Sequence, residues 1–225
     1  MNRSMILAGG VLLCVSTLGC SKRGLPQAAR ALSGVPLVVE APPTPGRTVE
    51  HIHRLRNEGR YVELTALLEK DRGARVIDFL LAMDELLAAN DAIQNALREK
   101  TPHSAAVRWD LGYLRNSQGL FSEDVQVVSE RTEGPQAFVT VRVADAPVLE
   151  TVPLRRIEGR WVYCPETEIG NVPQTLRVLA TSLKRMARSL RRETMTEEQI
   201  QNEFRLCISP RLKDVQLAAA ESDRR

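Results

Sequence analysis

Six basic side chains, Arg177, Lys184, Arg185, Arg188, Arg191 and Arg192, lie between Gln174 and Arg192 with no acidic residue among them. On a helix turning about 100° per residue they share an arc of about 120°. The same segment carries Leu176, Leu179, Leu183, Met186 and Leu190 at spacings of three and four, a second stripe suited to burial. Three chemistries fit this pattern: a solvated face above a packed stripe, attachment to anionic lipid, or contact with a polyanion or protein partner. No aromatic ring interrupts the basic face to stack a nucleobase, so nucleic acid is not an expected partner. Across the chain 31 basic residues nearly balance 28 acidic ones, for a net charge of +3. Overall charge therefore singles out no partner.

The remaining reactive side chains are sparse. His51 and His53 stand two apart, which on a helix sends them to opposite sides and on a strand puts them on one face. The region reads as helix, so both are expected at the surface with no metal between them. His103, Trp109, Asp110 and Tyr113 form the one grouping with a base and a hydroxyl donor at helical spacing, Asp110 and Tyr113 sharing a face. A cap, a surface carboxylate and a half-buried ring account for the same residues. No HExxH, P-loop, GxSxG or GxGxxG run occurs, and no Cys/His spacing fits zinc, haem or an iron–sulfur cluster. No catalytic residue and no cofactor is assigned.

The N-terminus carries a different chemistry. Arg3 precedes an apolar run from Ile6 to Val15 and the small-residue stretch Ser16-Thr17-Leu18-Gly19-Cys20. Such a run is shorter than the roughly 20 residues a membrane-spanning helix needs and has the form of an export signal. Gly19-Cys20 resembles the lipobox of bacterial lipoproteins, with Thr17 and Leu18 where that pattern usually has Leu and a small residue. The resemblance implies removal of residues 1–19, lipidation of Cys20 and a cell-envelope location outside the cytoplasm. Cleavage by the ordinary signal peptidase and retention as an uncleaved anchor are the alternatives. Cys14 leaves with the leader and Cys20 takes the lipid, so Cys164 and Cys207 remain, either as a disulfide in an oxidising compartment or as two buried thiols.

The elements that must position these residues follow from periodicity. Residues 20–47 include Pro26, Pro36, Pro42, Pro43 and Pro45 and read as a tether. Short helices are expected over Val49 to Arg60 and Tyr61 to Lys70. A long one is expected from Arg75 to Lys100, after a turn at Asp71-Arg72-Gly73 and before Pro102. Ser104 caps a further short helix to Leu114. Strand patterns follow over 124–131, 137–144 and 148–156 and at Trp161 to Tyr163, joined by tight turns that demand antiparallel pairing. After Pro173 come the basic helix and, behind a Thr196/Gln199 capping box, a second helix broken at Pro210. The expected fold is α+β: N-terminal helices, a curled antiparallel sheet, and a C-terminal helical hairpin, with a domain over 48–170 and helices over 171–225.

The order of residues 48–166, with the Leu120-Phe121-Ser122 turn and the Gly159-Arg160-Trp161 hairpin, resembles the nuclear-transport-factor-2-like (NTF2-like) superfamily of cone-shaped α+β domains. That superfamily includes isomerases and dehydratases beside domains that only bind or scaffold, and no residue here aligns with its catalytic positions. The expectation is a non-catalytic binding or scaffolding lipoprotein, held at a membrane by its lipid and presented to an envelope protein partner. The alternatives are an enzyme acting on a small molecule within the cone, and a membrane or polyanion clamp through residues 174–192.

Overall fold

The structure, a computed structural model, describes residues 43–100, 109–144, 149–165 and 168–222. The leader, Cys20 and nearly all of the tether, together with His103, lie outside them. The first element among the described residues is α1 (Pro45–Asn57), which starts three residues earlier than proline content suggests. Thr44 explains this: its hydroxyl accepts from the Arg47 N–H, and Pro45 occupies a first-turn position where its missing N–H costs nothing. Glu130 then accepts from the Gly46 N–H at 2.5 Å, a carboxylate at a helix N-terminus that ties α1 to the sheet.

The second helix, α2 (Tyr61–Thr65), is shorter than expected, and α3 (Lys70–Lys100) longer. The expected turn at Asp71-Arg72-Gly73 is instead the first turn of α3. Gly73 serves there as a close-approach residue, since a Cβ on it would lie 2.9 Å from the Leu68 Cβ. At 31 residues α3 is about 46 Å long, and no single stripe of it is buried. Its first half, with Val76 and Leu80, faces the sheet; its second, with Leu86, Ala89, Ile93 and Leu97, faces the C-terminal helices.

Residues 112–121 form two short 3-10 turns, Gly112–Asn116 and Gly119–Phe121. The sheet follows as an antiparallel meander in chain order: β1 (Val125–Glu133), β2 (Gln136–Val143), β3 (Leu149–Ile157) and β4 (Arg160–Tyr163). Glu158 and Gly159 both have positive φ, 50° and 82°, the backbone a two-residue hairpin of type I′ requires. A bulge between Val127 and Ser129 bends β1. At the other edge, β4 is covered by the α2–α3 connection through Glu69 N–H to Tyr163 O and Tyr163 N–H to Leu67 O. Ala137, Val139, Val141, Val152, Leu154 and Trp161 point from the sheet onto Val49, Ile52, Leu64 and Leu80, all buried. The fold class is therefore α+β.

α4 (Val172–Arg192) lies along α3. Asp78 meets Arg177 at 2.5 Å and Glu85 meets Lys184 at 2.7 Å, seven residues further along both helices, so the two run parallel. Leu176, Leu179, Leu183, Met186 and Leu190 fill the seam as expected, with Ala82, Ala89 and Ala96 of α3 admitting them at heptad spacing. The capping box forms, with both Thr196 and Gln199 engaged, and opens α5 (Glu197–Glu203). The helix is not broken at Pro210. A π-helical segment, Phe204–Ile208, leads into α6 (Ser209–Ser222), and the Ser209 N–H bonds five residues back to Phe204 O. This local change of period lets the chain pass a residue that has no N–H to give.

Candidate functional site

Three elements converge on an open cleft of about 470 Å³: the end of α1, the middle of α3 and the 3-10 turns before β1. Leu87, Ala88 and Phe121 contribute its apolar lining, and Arg56, Asn57, Asp84, Asp91, Arg115, Gln118 and Glu123 its polar lining. On α3 the residues Asp84, Leu87, Ala88 and Asp91 fall at i, i+3, i+4 and i+7, so helical geometry alone puts them on one face.

Two ion-paired nodes set its electrostatics. Arg56, whose side chain is only 10% exposed, donates to both oxygens of Asp84, at 2.5 and 3.0 Å. Tyr61 donates its hydroxyl to the same carboxylate, accepts from Arg56, and carries the guanidinium over its ring. Burial, and then the bond to Asp84, holds the Tyr61 hydroxyl well above its usual pKa. Arg115 bridges Asp91 at 2.7 Å and Glu123 at 3.2 Å. Asp84 thus accepts three hydrogen bonds, and the carboxylates of Asp91 and Glu123 are each committed to a guanidinium. The arrangement offers a polar recess with fixed charges and an apolar floor.

Of the histidine, tryptophan, aspartate and tyrosine grouping, His103 lies outside the described residues, and the aspartate and tyrosine do not stand as the helical pair that their spacing suggests. Asp110 precedes a 3-10 turn rather than sitting in a helix, so Asp110 and Tyr113 do not share a helical face, and Tyr113 is 68% exposed. Asp110 has a structural task. Asn90, buried on α3, donates to it at 2.7 Å, and the Gly112 N–H donates at 2.8 Å; these two bonds, in that order, lower its pKa. The Asn90 carbonyl accepts from the Leu111 N–H at 3.0 Å, while Gln94 donates to Trp109 O, so two buried polar residues of α3 pin the loop after it. Trp109 itself packs edge-on against Phe204, ring centroids 5.2 Å apart.

His51 is exposed and His53 half-buried on α1, the latter's Nε2 3.1 Å from Glu123 O. Among the described residues no group of three or more His, Cys, Asp or Glu side chains is placed to hold a metal. Cys164 and Cys207 are both free, half-buried thiols, so of the two alternatives the structure has the unpaired one. Cys164 follows β4, where burial pushes its pKa up, whereas Cys207 lies in the π-helical segment with its sulfur 3.3 Å from Arg185. Cys207 packs against the cluster between α3 and the C-terminal helices, and Cys164 is not part of it.

The basic arc of α4 is divided by the fold. Arg177 and Lys184 spend their charge on α3; Arg185, Arg188, Arg191 and Arg192 are exposed and form no ion pair among the described residues, Arg185 donating to the Cys207 sulfur. Sequence reasoning missed the cleft, although the carboxylates Asp84 and Asp91, seven apart within an apolar helix, were its visible trace. Comparison with family models, curated proteins and solved structures finds no match to this chain.

Proposed function

We propose that this chain is a non-catalytic lipoprotein of the cell envelope, whose domain binds or scaffolds at a membrane to which Cys20 is anchored by lipid. The leader Arg3 to Gly19 and the cysteine after it support the anchor. Three acyl chains, each buried methylene contributing about 0.8 kcal/mol, hold a protein at a bilayer stably. NTF2-like architecture over 48–166 is part of the proposal, supported by helices that precede an antiparallel meander and by the tight Glu158-Gly159 turn into Trp161.

The observation that carries the non-catalytic reading is the packing of the sheet. Its inward side chains pack against Val49, Ile52, Leu64, Leu68, Val76 and Leu80, all buried, which supports an interior filled by apolar side chains rather than one holding a substrate. The recess that does open, beside Arg56 and Arg115, has its carboxylates paired, and it is the receptive surface of the domain in this reading. Fractionation of cells expressing the full chain tests the proposal. The protein should sediment with membranes and be extracted by detergent, and Cys20→Ala should leave it unacylated and shift it away from the detergent-extracted fraction. An acylation-independent distribution contradicts the anchor.

A further inference from the structure

We infer that the outer face of α4 is a docking surface for anionic phospholipid headgroups, turning a domain that is merely tethered into one that lies against the bilayer. This inference rests on the lipid anchor proposed above. The face is built by exclusion. Parallel packing against α3 consumes the apolar stripe and neutralises Arg177 and Lys184 through Asp78 and Glu85. What remains outward is Arg185, Arg188, Arg191 and Arg192 on two successive turns, with Glu193 and Glu203 forming no ion pair to them among the described residues. The fold thus leaves a cation-only strip at the C-terminal end of a 21-residue helix about 31 Å long.

An anionic membrane is the occupant that fits. Arginine is suited to phosphate, donating from a planar fork, and a strip of them on one helix face matches a flat field of headgroups. No described helix is long and apolar enough to cross a membrane, so the contact is peripheral. The 25 residues from Cys20 to Thr44 could span at most about 90 Å fully extended, nearly three times the length of α4, so chain length does not prevent a lipid at Cys20 and the helix from reaching the same surface.

The test uses the full chain and vesicles of either zwitterionic phospholipid alone or a mixture with 30% anionic phospholipid. R185Q/R188Q/R192Q is compared with wild type and with R47Q/R54Q/R142Q, which removes equal charge from exposed positions elsewhere. Each arginine near an anionic surface is worth about fivefold, so the α4 triple variant should lose about 100-fold of the preference for anionic vesicles, and the control triple should keep it. The preference should also fall as salt rises. A variant with lysine at the three α4 positions keeps the charge and should retain most of the binding, which separates lost charge from lost fold. Every variant carries the same N-terminus, so the difference between vesicle types reads the helix face alone, whereas failure of the anchor appears as a missing acyl mass. Equal losses in both triples, or none in either, overturn the inference, as does capture of an acidic protein by the α4 face with no preference for anionic vesicles.

Discussion

Asn90 shows what a single buried polar side chain does here. One carboxamide donates to Asp110 and accepts from Leu111 N–H, so the residues that lead into the 3-10 turns are fixed by hydrogen bonds to α3 as well as by the apolar contacts of Trp109 and Leu111. Asn90→Ala leaves a buried N–H without an acceptor and should cost about 1–3 kcal/mol in urea unfolding. Asp110 adds a pH signature. Its folded pKa lies below the ordinary value of about 3.9, so its stabilisation is fully present above about pH 4 and disappears as pH falls through the folded value. Asp110→Asn should therefore shrink the loss of stability on acidification below pH 4, measured by denaturant midpoints across that range. These roles were hidden from a linear reading: Asp110 and Tyr113 look like an acid and a hydroxyl three apart, but a 3-10 turn beginning at Gly112 breaks the helix such spacing assumes.

Elements were most legible where one residue type controls one geometry. The capping box at Thr196, the Glu158-Gly159 turn and the apolar stripe of α4 are local rules, and each stands where its residues put it. Legibility failed where tertiary contact overrode the local signal. Gly73 reads as a turn, yet Leu68 needs that space, and Pro210 reads as a stop, yet a π-helical segment carries the chain through. Opposite effects compete at Gly73. Alanine gains about 1 kcal/mol of helix propensity, but its Cβ would sit 2.9 Å from the Leu68 Cβ, a contact between two rigid atoms. Steric cost should win, with Gly73→Ala destabilising by about 1 kcal/mol in urea unfolding. Thr196→Ala should cost about 1 kcal/mol by removing the cap of α5.

The described molecule has two packed layers that share one helix. Trp161 belongs to the layer between sheet and N-terminal helices, and Trp109 borders the layer between α3 and the C-terminal helices. Because α3 runs through both, neither layer can lose its order without exposing the other, and unfolding should be cooperative. Single-tryptophan variants retaining Trp109 or Trp161 should report coincident denaturant midpoints; separated midpoints would show two independent units. The division of labour follows from the same plan: one end of α3 holds the sheet, its middle lines the cleft, and its outer carboxylates fix α4 so that four arginines face away. At this scale the apolar run before Cys20, proposed as an export signal, is the plainest pattern in the sequence, and the cleft the least plain, since it depends on three segments far apart in sequence. The most direct measurement is the intact mass of the protein extracted from membranes. The account predicts a chain beginning at Cys20 and carrying a diacylglyceryl group with an N-acyl chain, and a protein recovered with residues 1–19 in place and no added lipid would contradict it.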